Sequence, residues 1–451
     1  MPRKATVAFG VALGIWLFTT PIGGWCFNGD PGAIPKPPVE PAATTTDLTL
    51  DEALNRTLSL NPTLEKYSRE TRAREFGILQ AGALPNPEVS VEVENFAGTG
   101  EFSGTGSAET TVTFSQEIEL GGKRKHRLDI THSDREVAER EYDIARLEVM
   151  AATKNRFRKV LAAQARLALA KEQHELARKI FRAVEDRIAA GKTPAIERVR
   201  VQALVAEIRL RLEKSKNALR VARQILATGW GSDVVDFSTV RGNLERTGAI
   251  PEWPELVAAL DQSPAVALQR SRSRKADGIL GLERADRVPD LTFSLGARDN
   301  RETGDHALVA GIAFPLPVFN RNQGAIAAAE MRRSKTESAV GASLLEVRAN
   351  LAGALEQLLS AQLEISTLRE EILPAARRTF DAIDYGYQAG KFGFLEVLEA
   401  ERSLFEAQSR YLDALTDHHR AITEIERLLG RNISELSLTD HTVKANEVHH
   451  E

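Results

Sequence analysis

Cysteine occurs once in 451 residues, at Cys26, so the chain holds no internal disulfide framework. Aromatic residues make up only 6%, which does not suggest a large conventional core. Beyond the N-terminus there is no run of about eighteen apolar residues, the length of a membrane-spanning helix. The longest later stretch free of Asp, Glu, Lys and Arg is His306 to Asn320, and Gly311, Pro315 and Pro317 interrupt it. If the chain crosses a membrane, it does so as β-structure. Basic excess is also missing: 59 Lys and Arg face 63 Asp and Glu, which gives no footprint for nucleic acid. The nine histidines show no metal-ligand spacing. His418-His419 and His449-His450 read as solvent-facing pairs, and His174-Glu175 lacks the second His of a zinc-protease helix. Gly191-Lys192-Thr193 is no phosphate loop, because Asp186 stands where the earlier glycine belongs. No nucleophile and base are paired, so no catalytic residue, cofactor or metal ligand is expected.

The N-terminus reads as a secretory signal peptide over 1–27. Arg3 and Lys4 precede the apolar run Ala5 to Phe18, and Pro21, Gly23 and Gly24 end it. Cys26 is a candidate for lipidation. Trp25 precedes it where that signal wants a small residue, so the alternative is that Cys26 lies at the cleavage site. A Pro-rich leader follows at 28–47.

Two copies of one pattern fill most of what remains, at 48–231 and 254–430, with a linker at 232–253 and a tail at 431–451. Each copy opens with a short helix and an X-Pro step, Asn61-Pro62 or Ser263-Pro264. Thr49 and Glu52 form a capping box on the first. A helix of about twenty residues follows, ended by proline at Pro85 or Pro289. Two strands come next, at 87–95 and 109–118, then at 289–298 and 306–316. Long helices are expected over 122–190 and 323–389, and return helices over 194–228 and 394–429. Gly229 and Gly430 end the return helices. At a shift of 199 residues Ala177, Arg178, Phe181, Ala183 and Glu197 meet Ala376, Arg377, Phe380, Ala382 and Glu396. Pro374 is expected to kink the second long helix.

Length sets the architecture. Each long helix measures roughly 100 Å, and the pre-strand and return helices together roughly 85–90 Å. Those two can stack end to end beside the long one, giving a rod with strands at one end and a turn at the other. Ile144, Leu147, Ala151, Phe157, Leu161, Ala165 and Ala168 make a narrow apolar seam in the first long helix, interrupted by Lys154. Leu351, Leu355, Leu358, Ile365, Ile372, Ala376, Phe380, Ile383 and Tyr387 make one in the second. Such seams suit the wall of a water-filled tube; an ordinary coiled coil shows the same rhythm. The strands alternate: Val89, Val91 and Val93 against Ser90, Glu92 and Glu94, and Phe293, Leu295 and Ala297 against Ser294, Gly296 and Arg298. Val112 and Phe114, then Leu308, Ala310, Ile312 and Phe314, form further rows. A transmembrane barrel needs this pattern, which a half-buried soluble sheet shares. Four strands cannot close a barrel, whereas three copies supply twelve.

Residues 48–430 resemble the TolC-like outer-membrane factor family of tripartite efflux systems. The likeness rests on Ser115-Gln116-Glu117-Ile118-Glu119-Leu120-Gly121-Gly122-Lys123-Arg124, on Phe314-Pro315-Leu316-Pro317-Val318-Phe319-Asn320, on Leu373-Pro374-Ala375-Ala376 and on Tyr387-Gln388-Ala389-Gly390. The first of these is worded most like the cobalt–zinc–cadmium resistance branch. The resemblance implies a mainly α fold with a small β part, assembled as a trimeric twelve-stranded barrel joined to a twelve-helix periplasmic tunnel. It implies a passive exit duct for divalent heavy-metal cations, with drugs or other small molecules as the alternative cargo. Partners would be a periplasmic adaptor, an inner-membrane pump of the RND type, and outer-membrane lipid. Gly121, Gly122, Lys123, Arg124, Pro315 and Pro317 would form the barrel-to-helix junction. Glu396 and Glu399, with Glu197 in the first copy, fall where the family narrows its periplasmic entrance, although relatives carry Asp there. Glu396 and Glu399 share one helix face, and threefold symmetry would gather their carboxylates near one axis. They also suit a plain helix N-terminus. The tips Gly191-Lys192-Thr193 and Gly390-Lys391-Phe392, with Phe394 beside them as part of an exposed knob, are the expected adaptor contacts. A single-hairpin adaptor or a channel-less coiled-coil scaffold are the rival classes, and two complete copies with alternating strands disfavour both.

Overall fold

The computed structural model describes residues 47–433 apart from Ala249. The signal peptide, Cys26, the leader up to residue 46 and the tail from 434 lie outside the described residues. In order the elements are β1 (Asp47–Leu48), α1 (Leu50–Leu60), α2 (Pro62–Gly82), β2 (Glu88–Glu94), β3 (Glu109–Ile118), α3 (Lys123–Ala189) and α4 (Ile196–Ala227). Then come β4 (Thr239–Val240), α5 (Trp253–Ala259), α6 (Pro264–Ala285), β5 (Leu291–Asn300), β6 (His306–Ala313), α7 (Gln323–Thr367), α8 (Leu373–Gln388) and α9 (Phe394–Leu429).

Local chemistry sets the helix starts. The Thr49 hydroxyl accepts from Glu52 N at 3.3 Å, while Glu52 accepts from Thr49 N at 2.9 Å. Asn61 accepts from Thr63 N at 2.9 Å above Pro62, and Ser263 caps α6 above Pro264 in the same way. The long helices start instead from left-handed residues, Gly122 at φ 77° and Asn322 at φ 58°. With 67 residues, α3 is about 100 Å long.

Toward the sheet, α3 packs on α2 and α6, and α6 packs on α7. Toward the other end, α3 packs on α4 and α9, and α9 packs on α7 and α8. Apolar cores are therefore strung along the helices. One joins Leu256 to Leu351, Leu358 and Ile425; another joins Phe157 to Leu226, Trp230 and Phe237; a third joins Ile180 and Val184 to Phe380, Phe394 and Val397. The 232–253 segment crosses α3 as a strap. Its β4 pairs in parallel with β1, and the Gln164 amide both accepts from Val240 N at 2.9 Å and donates to Val240 O at 3.1 Å.

The other sheet has the order β2-β3-β5-β6 and is antiparallel throughout. Its second hairpin begins at Leu291 and ends at Ala313, where the pattern placed 289–298 and 306–316. Pro289 has no N–H for a ladder, Asp290 turns its side chain to the junction, and Pro315 and Pro317 close the far end.

Where Pro374 is expected to kink the second long helix, a π turn, Leu368–Ile372, stands directly before α8. A π turn widens the helix where the proline ring would crowd the carbonyl four residues back. His418 and His419 do not face solvent; they are 0% and 8% exposed. Both are buried because α9 is covered on two sides, by α7 and by α3 with its strap. His419 Nε2 donates to Leu244 O of that strap at 2.8 Å. Phe394 is not part of an exposed knob: at 6% exposure it belongs to the tip core. Ala168, placed in the first seam, is exposed.

Candidate functional site

The strand register gathers the apolar rows onto one face of the sheet. Val91 lies opposite Val112 and Val89 opposite Phe114. Phe114 lies opposite Leu295 and Val112 opposite Ala297. Leu295 meets Ala310, Ala297 meets Leu308 and Phe293 meets Ile312. This face is open: Val89, Val91, Leu295, Leu308 and Ile312 are each at least 62% exposed. Contiguous apolar surface of that kind marks contact with a membrane or a partner. The other face carries Ser, Thr, Glu and Arg298. The outer edges of β2 and β6 have no strand partner among the described residues.

At the foot of the sheet the two repeats are tied together. Gly121 (φ 70°) and Gly122 (φ 77°) make the reversal into α3. A Cβ on Gly121 would sit 2.8 Å from Ala285 O, so glycine is required there. Lys123 Nζ meets Asp290 Oδ2 at 2.6 Å, and Leu120 N donates to Asp290 Oδ1 at 2.8 Å. Burial raises the Asp290 pKa, but these two bonds outweigh it and hold the group below the usual carboxylate range. Arg124 Nε donates to Gly82 O at 2.8 Å. The Arg127 guanidinium beside Glu119 holds that carboxyl low. At the second junction Asn322 does the tying, donating to Glu283 O at 2.8 Å, while Pro315 and Pro317 stay exposed. Asp290, Glu119, Arg127 and Asn322 were not singled out from sequence. A carboxylate directly after Pro289, across from a basic junction, was the available signal.

The two tips turn alike. Lys192 N donates to Arg187 O and Lys391 N to Gly386 O, both at 2.8 Å, with Gly191 and Gly390 left-handed. Lys192 and Lys391 are exposed, and Thr193 is half-buried. The Phe392 ring lies over Gly386, where any Cβ would come within 2.3 Å of it. Arg187 pins one hairpin to the other: it donates to Tyr387 O at 2.7 Å and Thr193 Oγ1 at 3.2 Å, and stacks 4.8 Å from the Tyr387 ring. Burial pushes the Tyr387 hydroxyl pKa up, Arg187 pulls it back, and Glu197 adds to the rise. Glu197 itself faces inward and pairs with Arg200 at 2.8 Å. Its Oε2 and the Tyr387 hydroxyl are buried without a hydrogen bond. Glu396 and Glu399 are exposed in the protomer, and Glu396 turns back over Gly393. Arg187 and Tyr387 are the tip residues that sequence did not flag as a pair. At the 199-residue shift Arg187 meets Gly386, the neighbour of Tyr387, so the repeat spacing gave no sign of this contact.

The family described as outer membrane efflux protein matches residues 53–232 and 256–431. The chain is 35% identical over 394 residues to the cobalt-zinc-cadmium resistance protein CzcC of Cupriavidus metallidurans, covering 87% of this chain and 93% of that one. It is 25% identical over 308 residues to the nickel and cobalt resistance protein CnrC of the same species, covering 68% and 73%. A crystal structure of CusC matches with a TM-score of 0.70 at 18% identity, over 86% of this chain and 94% of that one. VceC from Vibrio cholerae matches with a TM-score of 0.69 at 18% identity, over 85% and 96%. The fold is thus the mainly helical, TolC-like one. Proteins of this kind act with adaptor and inner-membrane pump partners. The chain belongs to the outer membrane efflux protein family and is an outer-membrane efflux channel rather than an enzyme.

Proposed function

We propose that three copies of this chain close into a twelve-stranded barrel above a twelve-helix tunnel, and that the pore passes divalent heavy-metal cations outward. The observation that carries the pore is the sheet with its open apolar face and two unpaired edges. Lipid tolerates no free strand edge, so the edges pair with other copies and the apolar face meets the bilayer. Exposed apolar side chains on both flanks supply the lateral seams: Phe76 and Leu79 of α2 and Leu210 of α4 on one side, Met331, Leu345 and Leu363 of α7 on the other. Glu396 and Glu399 narrow the far end, while Glu197, the equivalent acid of the first copy, is turned into the protomer and held by Arg200. The tips around Gly191, Lys192, Thr193, Gly390, Lys391 and Phe392 meet the adaptor, with Phe394 bracing them from beneath.

The cargo follows from the likeness to CzcC, whose name carries cobalt, zinc and cadmium resistance. A deletion strain tests it. Loss of tolerance to those three ions, restored by the gene, is the expected result; loss of drug tolerance alone would overturn the cargo. Purified outer membrane should yield a detergent-stable trimer, and a monomer in the periplasmic fraction would overturn the pore.

A further inference from the structure

On the polar face of the sheet Glu88, Glu92, Glu94, Glu109 and Glu117 face a single cation, Arg298. Arg298 stands near the hairpin-loop end, the end away from the helices. There Glu94 and Glu109 lie directly opposite each other on neighbouring strands. Like charges so placed repel. Arg298 reaches across both strands, 3.3 Å from Glu109 and 3.7 Å from Glu94, and its Nε donates to Thr111 Oγ1 at 3.0 Å. Asn300 donates to Glu109 at 3.0 Å from the other side. Thr111 is the register partner of Arg298, so the guanidinium is aimed by its own ladder position.

A duct must let its cargo leave, and a wall that binds too well stalls conduction. Two opposed carboxylates with the Thr111 hydroxyl nearby are hard oxygen ligands of the kind divalent cations take. We propose that Arg298 is a built-in counter-cation: it occupies the place between Glu94 and Glu109 and so keeps the mouth from trapping a departing divalent cation. Arg298 is in this sense a specificity-determining residue for release. The proposal rests on the polar face lining the pore, as set out above. It does not require that zinc be the cargo, since zinc serves below only as a probe.

The test is single-channel recording of the full chain in planar bilayers, with zinc chloride added on the hairpin-loop side. Arg298→Gln should be blocked at a zinc concentration roughly tenfold or more below that needed for the parent. Arg298→Lys should behave like the parent, and Arg298→Gln with Glu94→Gln and Glu109→Gln should return to it. An assembled Arg298→Gln channel with parental zinc sensitivity overturns the proposal, as does block that persists in the triple variant. A purely structural role for Arg298 would change assembly but not this sided block. If Arg298→Gln assembles poorly, zinc should restore the trimer where sodium at equal ionic strength does not; no restoration by zinc counts against the proposal. The tolerance assay reads the cargo separately, so failure of either is recognisable on its own.

Discussion

Lys123 and Asp290 lie 167 residues apart in sequence and 2.6 Å apart in space, one from each repeat, at the foot of the sheet. The pair is largely shielded, at 11% and 21% side-chain exposure. Lys123→Met leaves the carboxylate without its cation and should cost on the order of 2 kcal/mol of unfolding free energy at pH 7. The folded pKa of Asp290 is depressed, so the pair stabilises above the ordinary value of 3.8 and fades as pH falls through the folded one. Parent and variant should therefore converge in acid. Equal losses at pH 7 and at pH 3 in denaturant titrations would show that the ion pair is not the cause.

Arg187 fixes the tip of one hairpin to the backbone of the other. Arg187→Ala removes the bond to Tyr387 O, the stacking and the bond to Thr193. Unpinned tips should give a higher single-channel conductance than the parent, at a stability cost of about 2 kcal/mol. Unchanged conductance in an assembled variant would mean that the tips are held by other contacts.

His418 is a polar residue in the buried stripe of α9 that includes Ala414, Ala421 and Ile425. Neither ring nitrogen has a hydrogen-bond partner. Burial, then His419 and Arg158, push its pKa down from 6.5 to about 4. Between those values the unfolded chain takes up a proton that the folded chain refuses, so stability is lost as pH falls through that window. His418→Leu should remove the loss, gaining on the order of 2 kcal/mol near pH 4.5 and less above pH 7. Parallel stability–pH curves for the two proteins would contradict this.

Glu396 and Glu399 are both exposed in the protomer, in the first two turns of α9. Replacing both by Ala should raise conductance and weaken block by divalent cations added at the tip side. Were both quantities to match the parent, the acids would be helix-start stabilisers only.

Much of the fold was legible because proline, glycine and strict alternation punctuate the sequence. Pro62, Pro264, Gly430 and the Val89–Val91–Val93 row each act through their immediate neighbours. Features that depend on distant partners were not legible. Asp290 looks like a turn residue until Lys123 is set beside it. His418 and His419 look like a wet pair because adjacent helical positions point about 100° apart, and only a helix covered on two sides buries both. Phe394 follows two glycines at a tip and so reads as exposed, yet the tip core folds over it. The π turn at Leu368–Ile372 has no composition of its own; only Pro374 hints at it.

The sheet keeps one alternation through three successive pairings, from Val89 to Ile312. Its strands therefore form a reading frame with a step of two. A single residue inserted beside Leu295 would turn everything beyond it over, presenting Arg298 to oil and Ala297 to water. Growth in this part of the molecule is confined to even steps within strands, while the hairpin loops at 95–108 and 301–305 accept any number.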